Sequence, residues 1–134
     1  MERHFPRAVT ALGDIFDHID AFAARHAVPE TALYAVKFVV EELFTNMVKY
    51  SPSDTSSDIG LELERQGGKI VVRLSDSGVD PFDVTQSADA DVSLGLEERK
   101  VGGLGLHLVK RMVDSLDYSY KDRHSVITFS KTVE

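Results

Sequence analysis

Apolar residues near the start of the chain recur three or four positions apart. Val9, Leu12, Ile15, Phe16, Ile19, Phe22 and Ala23 predict an amphipathic helix over residues 8–24. A second helix is expected from near Pro29, because proline is tolerated in a first turn and Glu30 suits the positive end of a helix dipole. Leu33, Val36, Val40, Leu43 and Met47 continue its apolar stripe until Ser51-Pro52 ends it, and the polar residues 53–58 read as a connector.

The period then changes to two. Ile59, Leu61 and Leu63 alternate with Gly60, Glu62 and Glu64, and Gln66-Gly67-Gly68 turns the chain into Ile70, Val71, Val72 and Leu74, a hairpin ending at Asp76. Residues 77–100 carry no clear periodicity. Leu104, Leu108, Val109, Met112, Val113 and Leu116 predict a third helix over 104–116, followed by strands over 118–121 and 126–133 around the turn Asp122-Arg123-His124. This order of elements predicts an α+β fold, a two-layer sandwich with three helices on one face of a mainly antiparallel, mixed sheet. Strand order does not follow from the pattern.

Composition narrows the functional classes. A chain of 134 residues fits one domain, 1–134, and 43% hydrophobic with 28% charged residues excludes disordered, collagen-like and low-complexity classes. The formal charge of −7 disfavours nucleic acid or an anionic membrane as the main partner, so any phosphate must be held by local geometry. Without cysteine there is no thiol catalysis, thiolate metal site or redox role. No apolar run is long enough to span a membrane and the first residues lack a signal-peptide core, which makes a cytoplasmic location the expectation. The five histidines have no metal-binding spacing and read as isolated side chains.

Four features could carry chemistry. Glu42, Asn46 and Lys49 stand at i, i+4 and i+7 on the second helix, where a carboxylate can take a proton, an amide oxygen can ligate Mg²⁺ and an ammonium can meet a phosphate. The same three residues would also make an ordinary solvated helix face. Asp76, at the end of an apolar strand and two residues before Gly78, can accept a hydrogen bond from an amino group such as that of adenine; a strand-terminating turn uses the same residues. Gly102, Gly103 and Gly105 directly precede or open a helix, exposing backbone N–H groups to an anion or serving as a hinge. The polar stretch between Asp80 and Val101 has the length of a lid, or of a loop without function.

In their order along the chain these motifs resemble the N, G1 and G2 boxes of the GHKL superfamily (Bergerat-fold ATPases and kinases). They are Glu42-Leu-Phe-Thr-Asn46 on a helix, Asp76-Ser-Gly78 after a strand, and Gly102-Gly103-Leu104-Gly105 at a helix start. Together with Asp80-Pro-Phe82-Asp83 and the run Leu106 to Asp114, they look most like the bacterial anti-sigma factor serine/threonine kinases.

The resemblance implies ATP and Mg²⁺ as cofactors, a sigma factor and a STAS-domain anti-anti-sigma protein as partners, and a homodimer. It implies Asn46 as the Mg²⁺ ligand, Lys49 as a phosphate contact, and Asp76 as the acceptor of the adenine amino group. Gly78 would lie against the ring, Gly102, Gly103, Leu104 and Gly105 would offer N–H groups to the phosphates, Thr128 would stand beside the adenine, and Glu42 would be the base. Histidine kinases usually carry asparagine at the position of Glu42. Two features depart from the family pattern. Lys49-Tyr50 looks more like a histidine-kinase N box, and Asp122-Arg123-His124 replaces a common glycine or asparagine in a turn expected to lie away from the site. The alternatives are a module that binds ATP or merely sequesters a partner, and a detached histidine-kinase catalytic domain.

Overall fold

In the computed structural model, which describes residues 1–50, 57–79, 81, 84–85 and 103–133, the order is strand, two helices, hairpin, helix, hairpin. Strand β1 is Glu2–Phe5; a 3₁₀ turn at Val9–Ala11 leads into α1 (Leu12–Arg25), and α2 is Glu30–Lys49. Then follow β2 (Ile59–Gln66), β3 (Lys69–Ser77), α3 (Gly103–Met112), β4 (Ser115–Lys121) and β5 (His124–Thr132). Most of the connector and of the long polar stretch, with Gly102, lies outside the described residues.

The strands form one sheet in the order β1-β2-β3-β5-β4, every neighbouring pair antiparallel. Register makes each face continuous. Leu61 pairs with Leu74, Leu74 with Ile127 and Ile127 with Tyr118, one rung of the face turned to the helices. The rung Glu62, Arg73, Thr128, Asp117 belongs to the opposite face, where Arg73 bridges to Glu62 at 2.7 Å. Ile15 and Ile19 of α1, Val36, Val40 and Leu43 of α2, and Leu106 and Val109 of α3 are buried in one core with Leu63, Val72 and Phe129. Each such side chain contributes about 1.5–3 kcal/mol by leaving water. The helices are thereby held on one face of the sheet, as the pattern predicts.

Two elements differ from the expectation. Strand β1 was not readable, because only Phe5 of its four residues is buried and so few positions cannot establish an alternation. Helix α3 stops at Met112 rather than at 116. The Asp114 N–H donates to Ser130 O at 2.8 Å, its carboxylate accepts both the N–H and the hydroxyl of Thr132, and Ser115 pairs with Ser130. These bonds lower the Asp114 pKa, the Thr132 side-chain bond first. Edge pairing thus outcompetes the helix, while Leu116 keeps its core contact from a strand.

Candidate functional site

Asp76 is the next-to-last residue of β3 and lies on the helix-facing side of the sheet, in register with Ser125. It is only 5% exposed. A buried carboxylate needs partners, and this one has two of different kinds: Oδ1 accepts the Ser125 hydroxyl, and Oδ2 accepts Nη1 of Arg7 at 2.9 Å. Removing one partner of a buried pair of this sort costs about 3–5 kcal/mol. Asp76 and Ser125 open onto a cavity of about 30 Å³ that Leu43, Asn46, Met47, Val79 and Ile127 also line. Its apolar walls and one fixed carboxylate match a flat ring that carries an amino group.

The turn beyond Asp76 is held by the β4–β5 hairpin. The Val79 N–H donates to Arg123 O (3.2 Å), Nη2 of Arg123 donates to Gly78 O (2.9 Å), and the Tyr120 hydroxyl donates to Val79 O (2.7 Å). Ser77 and His124 share a 3.0 Å bond. Asp122 and Arg123 have φ of 53° and 62°, the left-handed geometry of a two-residue hairpin turn achieved without glycine, and Gly78 itself has φ 70°. The hairpin turn is therefore attached to the Asp76–Gly78 segment, contrary to the expectation that it lies away from the site.

Glu42 and Asn46 project from one side of α2, one helical turn apart. Asn46 is 5% exposed, and its Nδ2 donates to Glu42 O at 2.7 Å. That bond fixes the amide and leaves its carbonyl oxygen as the atom that can meet a ligand. The Glu42 side chain lies against α3: a Cβ built on Gly105 would fall on its carboxylate. Burial raises the Glu42 pKa, and the charge of Glu41 adds to the effect. Gly103 and Leu104 begin α3, whose first N–H groups have no partner inside the helix. Glycine at 105 is thus what allows the carboxylate and the helix start to meet.

Of the described candidate residues, Asn46 and Asp76 line the cavity, and the side chains of Lys49 and Thr128 are placed otherwise than expected. Lys49 is exposed in the last turn of α2, its ammonium 5.4 Å from the centre of the Tyr50 ring. Thr128 pairs with Arg73 and Asp117 on the outer face of the sheet, so its side chain is on the other side from Asp76. The hydroxyl beside Asp76 belongs to Ser125, three residues earlier and of opposite parity along the strand. The residues missed from the sequence are Ser125, Arg7, Tyr120 and Arg123. Parity was a usable signal for Ser125, since Ile127 and Phe129 are the buried positions of that strand.

One helix, α2, carries a half-buried carboxylate and a buried amide, and the antiparallel sheet beneath it presents a buried aspartate, the arrangement of a histidine kinase-like ATPase fold. Residues 5–131 match the histidine kinase-like ATPase domain family, and the chain belongs to that family. It is 29% identical over 114 residues to the serine-protein kinase RsbW of Listeria monocytogenes, covering 81% of this chain and 72% of that one. The Listeria innocua serine-protein kinase RsbW is 28% identical over the same shares. Among solved structures, the RsbU and RsbW domains of a Mycobacterium tuberculosis protein superpose with a TM-score of 0.69 at 12% identity, over 99% of this chain and 32% of that one. The histidine kinase domain of a blue-light activated kinase from Erythrobacter litoralis gives 0.57 at 18% identity, over 96% and 62%. The chain thus spans about a third of the first of these structures. Among the described residues no helix is long and apolar enough to cross a membrane.

Proposed function

We propose that residues 1–134 form one ATP-binding domain with protein serine/threonine kinase activity, acting in the cytoplasm as an anti-sigma factor. It would bind a sigma factor and phosphorylate a STAS-domain anti-anti-sigma protein, working as a homodimer. The observation that carries this reading is the pairing of a buried Asp76 at an apolar cavity with a half-buried Glu42 against the start of α3. Similarity to serine-protein kinases RsbW supports the choice of activity.

In this reading Asp76 accepts the adenine amino group, Gly78 lies against the ring, and the N–H groups at Gly102, Gly103, Leu104 and Gly105 face the phosphates. The Asn46 carbonyl oxygen suits Mg²⁺, a hard cation that takes one or two protein oxygens and fills its shell with phosphate and water. When bound, the ion would neutralise charge on the phosphates. The serine hydroxyl of the partner attacks the γ-phosphorus, the bond to the bridging oxygen breaks, ADP leaves, and the hydroxyl proton passes to the Glu42 carboxylate. A carboxylate whose pKa is raised by burial is better matched to that proton at neutral pH than an ordinary one. Lys49, exposed in the last turn of α2, is the further candidate for a phosphate contact.

The test is incubation with γ-labelled ATP and candidate STAS domains. Acid-stable label on a serine or threonine of the STAS protein is expected. Stoichiometric capture of a partner without label would indicate a purely sequestering module, and acid-labile phosphohistidine a detached histidine-kinase domain.

A further inference from the structure

Arg7 makes more polar contacts between separate elements than any single role in the site described so far requires. It lies between β1 and the 3₁₀ turn, with a side chain only 7% exposed. Its guanidinium donates to Asp76 Oδ2 at 2.9 Å, to Ser57 O at 3.1 Å from Nε, and to the Ser57 hydroxyl at 3.1 Å from Nη2. Nη1 also lies 3.5 Å from Met47 O in the last turns of α2. Ser57 in turn donates to Ser77 O at 2.6 Å, next to Asp76. One planar fork therefore ties together the entry to β2, the end of α2 and the end of β3. Arg7 is not among the residues lining the cavity, although Asp76, Met47 and Ser125 are. It supports the carboxylate from behind.

We propose that Arg7 is a positioning residue that sets purine selectivity by holding the Asp76 carboxylate in the orientation that accepts a 6-amino group. This rests on the reading of the cavity as an adenine site. Ser125 fixes one carboxylate oxygen, but a hydroxyl rotates to suit its acceptor and cannot define the plane of the carboxylate alone. The guanidinium fork, anchored by its other N–H groups on Ser57, supplies the second point and does so with a rigid geometry that lysine lacks. Each carboxylate oxygen keeps a further lone pair for an incoming N–H. A 6-oxo purine presents an acceptor at that place and gains nothing from the arrangement.

The experiment is calorimetric titration of the full chain with ATP and with its 6-oxo analogue ITP, for wild type, Arg7→Met and Arg7→Lys, with thermal unfolding followed alongside. Wild type is expected to prefer ATP by at least about tenfold, the scale of one hydrogen bond to a charged group. Arg7→Met is expected to lose about that factor for ATP while ITP binding changes less than about twofold, and Arg7→Lys to fall between. Should Arg7→Met not fold, the ratio is read in Arg7→Lys. Equal weakening of both nucleotides, or an unchanged ratio in the folded variants, overturns the proposal and leaves the ATP reading standing. Wild type that binds neither nucleotide overturns the ATP reading itself.

Discussion

At one end of the candidate site Asp76 is fixed from two sides, by a hydroxyl from the neighbouring strand and a guanidinium from the chain's first turn. At the other end Glu42 has a different setting: it rests on the bare backbone of Gly105, and its pKa is raised by burial. In the proposed reading Asp76 recognises a base and must keep one orientation, which its place on the sheet and its two partners give it. A group that takes a proton must change charge, so a ring of ion-pair partners would work against it. The contrast between the two carboxylates supports the proposal that the two ends of the candidate site do different work.

The contrast can be broken most forcefully at Glu42. Glu42→Gln is expected to lower phosphotransfer by about 10²–10⁴-fold, with ATP affinity within about threefold of wild type, read from initial rates and calorimetry. Because the carboxylate must be unprotonated to act as a base, the rate should rise with pH through its pKa. Burial places that acid limb above the ordinary value of 4.5. Ser125→Ala works at the other end and should weaken ATP by about tenfold without changing the rate at saturating ATP. Gly105→Ala pushes the Glu42 carboxylate off α3. A loss in rate of about fivefold is expected, the scale of one modest packing or hydrogen-bond change, and the acid limb should move back toward that of an exposed carboxylate. Thr128→Val, on the outer face, should leave ATP affinity within about twofold, and any larger loss would contradict the assignment of the two faces.

The long periodic elements were legible because periodicity is a property of many residues at once. Helices α1 and α2 and the β2–β3 hairpin lie within a few residues of where the apolar spacing put them. Asp76 and Glu42 were legible as candidates too, since a strand ending in an acid before a glycine, and a carboxylate one helical turn before an amide, are local patterns. What was not legible depended on pairing between distant segments. Ser125 meets Asp76 through strand register, Arg7 reaches it across 69 positions of sequence, and Arg123 reaches Gly78 across 45. Thr128 was misassigned for the same reason: its place in the motif was read, but not the face to which its strand turned it.

The account rests on Asp76 as the group that receives the base, and the most direct measurement is calorimetric titration of Mg-ATP into wild type and Asp76→Asn. Melting curves of both should establish that the variant is folded. The expected result is saturable binding by wild type and at least about a hundredfold weaker binding by folded Asp76→Asn, as for loss of a buried charged hydrogen bond that leaves an unpaired partner. Equal affinity in the two proteins, or no binding of ATP by wild type, would contradict it.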